Sequence, residues 1–169
     1  MTAATFQSTV NVNLGFGVPG ELIVDGPQRV DSLTLDNVGG IIARAFTKSN
    51  TTNIATMGGT IVDGTSVFAG ILVNPKAYAS FGGAGAPLDP TLTLRPNSQG
   101  EFLTMGTIVV YLNGAANIGD WVFFNDTTGE LYAGTPGSAA GVGYTLIPNA
   151  VVWNYPQSAT GLAAIRITD

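Results

Sequence analysis

The stretch Asn117-Ile-Gly-Asp-Trp-Val-Phe-Phe-Asn-Asp-Thr-Thr-Gly-Glu-Leu-Tyr132 sets two short apolar runs on either side of a turn. Trp121 to Asn125 and Glu130 to Ala133 have strand length. Between them, Asp126 can bond back to its own chain and Gly129 can take positive φ. The spacing predicts a β-hairpin. Its aromatics Trp121, Phe123, Phe124 and Tyr132 suit either a ligand-stacking platform or packing in a core or interface, and the second use is much the commoner for aromatic side chains.

The habit of this hairpin recurs outward in both directions. From Thr5 to Leu14, Phe6, Val10, Val12 and Leu14 alternate with Gln7, Thr9, Asn11 and Asn13, the period of two that marks a half-buried strand. Similar runs occupy Val30 to Leu35, Thr91 to Leu94, Glu101 to Leu112, Ala150 to Trp153 and Leu162 to Thr168. Turn signals separate them at Asp25-Gly-Pro27, Val38-Gly-Gly40, Asp63-Gly64, Asn113-Gly114 and Pro136-Gly137. Many short strands at such spacing predict a sandwich or barrel. Helix signals are sparse: Asn74 can cap one turn through Tyr78, with Pro75 at its first position, before Phe81-Gly-Gly83 ends it. Residues 80–90, rich in glycine and alanine, are expected to form a flexible loop, and residues 1–18 an N-terminal arm on a single β-rich domain spanning 1–169.

Composition removes several function classes. The chain has no histidine and no cysteine, so disulfides, thiolate metal sites and Ser-His or Cys-His nucleophiles are excluded. Charged residues make up 10%, against about 25% in ordinary soluble domains, while the mean hydropathy is +0.31. Residues 102–119 and 131–165 contain no Asp, Glu, Lys or Arg at all. A surface so poor in charge implies either membrane insertion or cover by other protein. Apolar runs such as Ile108 to Leu112 fall far short of the roughly 20 residues of a spanning helix, and the strands are mostly shorter than the roughly 9–11 residues a membrane barrel needs. The opening Met1-Thr-Ala-Ala-Thr-Phe6 lacks the basic and apolar regions of a signal peptide. Burial against protein is therefore the better reading, with no membrane partner. A net charge of −5 and only six basic residues argue against a nucleic-acid partner, whose phosphates demand Lys and Arg.

Motifs that suggest chemistry fail on context. Gly15, Gly17 and Gly20 match the G-x-G-x-x-G spacing of a dinucleotide turn, but Glu21-Leu-Ile-Val-Asp-Gly-Pro27 offers no helix to receive a pyrophosphate. These glycines are expected to shape tight bends. Gly82 to Pro87 lacks the Lys-Ser or Lys-Thr of a P-loop, and neither Lys48 nor Lys76 stands in an S-x-x-K setting. Oxygen ligands for a metal would have to come from Asp25, Asp31 and Asp36, or from Asp120 and Asp126, and neither set has the dense alternation of a calcium loop. No catalytic, cofactor-binding or metal-binding residue is assigned, and no cofactor is expected.

Longer strings are more specific than any of these motifs. Phe6-Gln-Ser8, Leu14-Gly-Phe-Gly-Val-Pro-Gly-Glu-Leu22, Asp25-Gly-Pro-Gln-Arg29, Ala43-Arg-Ala-Phe-Thr47, Phe68 to Tyr78, Gly100 to Val110, Asn149 to Val152 and Gly161 to Ile167 together resemble the structural cement proteins of tailed bacteriophages. The likeness spans nearly the whole chain and is weakest from Asn125 to Tyr144. It implies a non-enzymatic decoration protein, assembled in the bacterial host cytoplasm and carried on the outer surface of the virion capsid. Its implied partners are the major capsid protein and itself, as a dimer or trimer. The expected fold is all-β: a short-stranded β-sandwich or β-barrel of tulip-like outline, with long loops and at most one or two short helical turns. The rival expectation is a carbohydrate-binding β-sandwich or tail-fibre module using Trp121 and Trp153 as stacking surfaces. The uncharged region Leu131 to Ile165 is expected to supply core strands and an oligomer or capsid contact.

Overall fold

The structure, a computed structural model, describes residues 17–75 and 93–168. Within them lie β1 (Leu22–Ile23), β2 (Arg29–Leu35), β3 (Gly40–Ile41), β4 (Ala45–Ser49), β5 (Ile54–Met57), β6 (Ser66–Leu72), β7 (Thr93–Leu94), β8 (Gln99–Leu112), β9 (Trp121–Asn125), β10 (Leu131–Gly134), β11 (Tyr144–Asn154) and β12 (Gly161–Ile167). No helix occurs among the described residues.

The pairings form two closed circuits that share β8. In the first, β8 pairs with β2, β2 with β5, β5 with β4, β4 with β6, and β6 returns to β8 through Ile71↔Leu103 and Leu72↔Phe102. In the second, β8 pairs with β12, then β11, β9 and β10. There Leu131 closes the ring beside Leu112, and the Asn113 N–H donates to the Leu131 carbonyl at 2.8 Å. The chain is thus two small five-stranded barrels fused along one 14-residue strand, which settles the expected choice between sandwich and barrel. Closure matters because an open edge presents unpaired N–H and C=O groups to any passing strand. A bulge at Thr104 of β8, between the pairs Arg29↔Met105 and Val30↔Leu103, interrupts the β2–β8 ladder where β8 leaves the first barrel for the second. Outside the circuits, β1 adds to β8 at Leu22↔Ile108, and β3 pairs with β7.

Side-chain alternation fills both interiors. Leu35, Phe46, Leu72 and Phe102 are fully buried in the first, with the rings of Phe46 and Phe102 edge-to-face at 5.1 Å. Ile108, Val110, Leu112, Phe124, Leu131, Val152, Ala163 and Ile165 fill the second. The row Ala45↔Ile71↔Leu103 points away from Leu72 and Phe102 yet is equally buried, because the second barrel covers it. Phe68 meets Phe124 there at 6.3 Å, and the Ala45 N–H donates to the Gly129 carbonyl. One continuous apolar cluster therefore runs through both barrels.

The expected strands at Val30, Glu101, Trp121 and Leu162 are present within a residue or two of their bounds. The hairpin is present as well, with Leu131↔Phe124 and Ala133↔Val122 in register and Gly129 at φ +66°. The residue that ties its turn is Asn125, however, and not Asp126: the Asn125 Oδ1 accepts the N–H groups of Thr127 and Thr128 at 2.9 and 3.0 Å. Two strands are longer than the sequence suggested, β8 and the 11-residue β11. The expected strand Thr5 to Leu14, most of the helical turn at Asn74 to Tyr78 and the loop 80–90 lie outside the described residues.

Candidate functional site

Residues directly opposite across paired strands share a face, so the register fixes what the second barrel shows to the outside. One row reads Tyr132, Phe123, Leu146; the next reads Gly134, Trp121, Val151, Arg166, Thr107. Ala164 stands opposite Val109, and Leu162 opposite Tyr111. These outward-pointing rows are almost wholly apolar and rich in aromatics, but Phe123, Thr107, Val109 and Ala164 within them are buried. Several large side chains of the second barrel are exposed: Trp153 40%, Tyr155 45%, Tyr111 53% and Ile118 58%.

The second barrel's few ionised groups are committed elsewhere. Asp120 is buried and accepts the Asn117 N–H at 2.8 Å inside its own loop. Asp126 accepts the Thr145 hydroxyl at 2.7 Å, and Glu130 pairs with Arg44 of the first barrel at 3.0 Å while Arg44 also donates to the Thr128 carbonyl at 2.8 Å. Asp126 and Glu130 lie along the junction between the barrels. Arg166 is the one cation on the outer face among the described residues, and three partners hold it. Its guanidinium lies 3.5 Å over the Trp153 ring, its Nε donates to Thr107 at 3.2 Å, and it forms an ion pair with Asp25. Desolvation alone would raise the Asp25 pKa, but hydrogen bonds from Thr107 and Arg166 and the guanidinium charge outweigh it and hold the carboxyl below its usual value. The Tyr132 hydroxyl is pushed up by burial, by Tyr144, whose ring meets it edge-to-face at 4.9 Å, and by Glu130.

The residues weighed in the sequence for chemistry are found in local backbone roles. Gly20, at φ +81°, lies where the chain crosses β8: its N–H donates to the Val109 carbonyl and its carbonyl accepts from Asn74. A Cβ there would stand 2.3 Å from Ile42 Cγ2 and 2.8 Å from the Asn74 nitrogen. The short strand β1 follows it and no helix does, so the third glycine of the dinucleotide-like spacing serves a tight crossing. Asp36 Oδ1 accepts the N–H groups of Val38 and Gly39 in a turn. Asp25, Asp120 and Asp126 are engaged as described above, each with different partners. Trp121 is half-buried between Gly134 and Val151, while Arg166 covers a face of Trp153, the surface a stacked sugar would need. Sequence reasoning missed Tyr111 and Arg166 as surface features. Tyr111 sits in the apolar run Ile108 to Leu112, where burial of Ile108, Val109 and Val110 hides the alternation, and the Arg166–Trp153 stack joins residues that only the β11–β12 pairing brings together.

Comparison with known proteins agrees with this geometry. Residues 6–168 match the family described as "Structural cement protein (E217 gp24/Pam3 gp6)". Among solved structures, a chain from "The capsid of Myoviridae Phage XM1" superposes with a TM-score of 0.69 at 18% identity, covering 97% of this chain and 98% of that one, a likeness of fold. No curated protein matches. The chain belongs to the structural cement protein family: it is a non-enzymatic structural component of a phage virion, associated with the capsid.

Proposed function

We propose that the protein binds the outer surface of the expanded icosahedral head and bridges neighbouring major capsid subunits, acting as a homo-oligomer and as a single folded unit, without nucleic-acid or membrane partners. The observation that carries this reading is the outward side of the second barrel, where exposed aromatic and aliphatic side chains crowd a surface whose one cation among the described residues, Arg166, is already paired. Interfaces have this anatomy, with an apolar aromatic centre from which charge is depleted. About 800 Å² per partner is enough for specific association.

The mechanism is mass action. A ligand that binds the assembled, expanded lattice and not its separated or unexpanded subunits shifts the equilibrium towards the intact head. Bridging adds to this, because once one contact is made the next forms at high effective concentration. Residues 2–18 are proposed to contribute to head binding, since their alternating pattern suits strand addition to a neighbour. Gly20 and Glu21, just beyond them, are bonded to Val109 of β8 and give such a segment a fixed root.

Co-sedimentation with purified heads tests the proposal. The protein should pellet with expanded shells, saturably and without competition from sugars, and less with unexpanded ones. A double variant Val142→Glu, Leu146→Lys on the exposed uncharged region should lower occupancy about tenfold, a loss of about 1.4 kcal/mol. Equal binding to both shell forms, or full occupancy by the double variant, would remove the reading. Deleting residues 2–18 should also weaken binding; unchanged binding would dispose of the arm.

A further inference from the structure

We infer that the Asn113–Gly114 step at the end of β8 is a site of spontaneous covalent modification: the Gly114 backbone nitrogen displaces the Asn113 side-chain amide, and the carboxylate that results loosens the closure of the second barrel. This is the one Asn-Gly step in the chain. A side chain on the residue after asparagine obstructs the approach of that backbone nitrogen to the side-chain carbonyl, and glycine has none. Gly114 stands at φ +135°, with no heavy atom within 4 Å of the place a Cβ would take, and Asn113 is exposed. After other asparagines in turns the nitrogen is engaged instead. The Val38 N–H donates to Asp36 Oδ1 at 2.9 Å, the Ser98 N–H to the Arg95 carbonyl at 3.2 Å and the Asp126 N–H to the Gly143 carbonyl at 2.9 Å. The Gly114 N–H has no such acceptor among the described residues.

Two hydroxyls bracket the amide. Asn113 Nδ2 donates to the Tyr132 hydroxyl at 3.0 Å, and the Thr160 hydroxyl donates to Asn113 Oδ1 at 3.4 Å, the oxygen on which negative charge develops when the carbonyl carbon is attacked. Base takes the Gly114 amide proton, the nitrogen bonds to Asn113 Cγ, and the Cγ–Nδ2 bond breaks. Ammonia leaves with that proton, and a five-membered succinimide joins the two residues. Water opens the ring at either carbonyl, leaving aspartate or its isoaspartyl isomer. Both products fall on the seam of the barrel, because the Asn113 N–H is the group that donates to the Leu131 carbonyl at 2.8 Å. The Tyr132 hydroxyl also donates to Glu130 Oε2 at 3.4 Å. A carboxylate at 113 removes the amide that donates to Tyr132 and sets a second acid across that hydroxyl from Glu130, so two like charges compete for one proton donor. Arg44 is engaged with Glu130, and residues 102–119 and 131–165 bring no further cation.

The test is peptide mapping by mass spectrometry of the purified, folded chain aged in warm, mildly alkaline buffer. The peptide carrying residues 113–114 should gain the amide-to-acid mass, as a mixture of aspartyl and isoaspartyl forms, ahead of every other asparagine and faster as pH rises. Gly114→Ala should slow the change about tenfold, a rise of about 1.4 kcal/mol in its barrier. Thr160→Val should slow it about threefold, the net worth of one hydrogen bond to the reacting oxygen. Should Gly114→Ala fail to fold at its positive φ, Thr160→Val and the pH dependence decide. Asn113→Asp, made directly, should melt below the fresh wild type, and by less in a Glu130→Gln background, since the two acids act on one another. A 113–114 peptide that stays unmodified, or that changes no faster than the other asparagines, would overturn the inference. Equal melting of Asn113→Asp and the wild type would overturn its consequence for the barrel.

Discussion

At Arg166 one guanidinium joins three strands and a loop: it stacks on Trp153, donates to Thr107 and pairs with Asp25. Arg166→Ala should cost about 1 kcal/mol in chemical denaturation, from the lost cation–π contact and hydrogen bond. Lys should restore little of it, having no planar face to lay on the ring. The Asp25 carboxyl has a folded pKa below its unfolded value, so its contribution is fully present above the unfolded value of about 3.9 and disappears as pH falls through the lower folded one. Stability measured against pH should therefore fall less steeply below about pH 4 in Asp25→Asn than in the wild type; identical acid limbs would contradict this. Gly20→Ala should destabilise by about 3 kcal/mol, because at a left-handed φ its Cβ would stand 2.3 Å from the Ile42 side chain and 2.8 Å from the Asn74 backbone. A melting shift of a degree or less would refute the crossing role.

Among the elements, the β9–β10 hairpin is legible in the sequence because every local signal agrees on it: strand-length apolar runs, a turn tetrad and a glycine where φ is positive. Only the identity of the tying side chain differed, since Asn125 and Asp126 are adjacent and equally able to form such a turn. Asn125→Ala should cost about 1–2 kcal/mol by freeing two turn N–H groups, and Asp126→Ala less. β4 and β6 were not legible as strands. Ala45, Phe46 and Thr47, like Ala69, Ile71 and Leu72, are buried on both faces, so the polar half of the alternation is missing. The first half of β11 was hidden differently. Pro148 and Asn149, the latter at φ +54°, sit in a bulge between Leu146 and Val151 that breaks the period. Closure of the two circuits was beyond local reading, since Leu131↔Leu112 and Ile71↔Leu103 are pairings between segments distant in sequence.

For the molecule as a whole, the sharing of β8 and the single apolar cluster mean that neither barrel can lose its strands without opening the other. Thermal unfolding followed at Trp and at the backbone should superimpose in one transition, and Phe124→Ala should lower both by the same 3–5 kcal/mol; two separate transitions would divide the chain into independent units. The scarcity of charge was legible in composition, but its location was not, because only the fold gathers Tyr111, Trp153, Tyr155 and Leu162 on one side and sends Asp126 and Glu130 to the junction. The central claim is that neighbouring protein covers this neutral face in the virion. Cryo-electron microscopy of decorated, expanded heads tests it most directly. The account predicts density for the protein on the outer shell, with the face around Trp153 and Leu162 within about 4.5 Å of a capsid subunit or a second copy. A decorated head in which that face looks out into open solvent would contradict it.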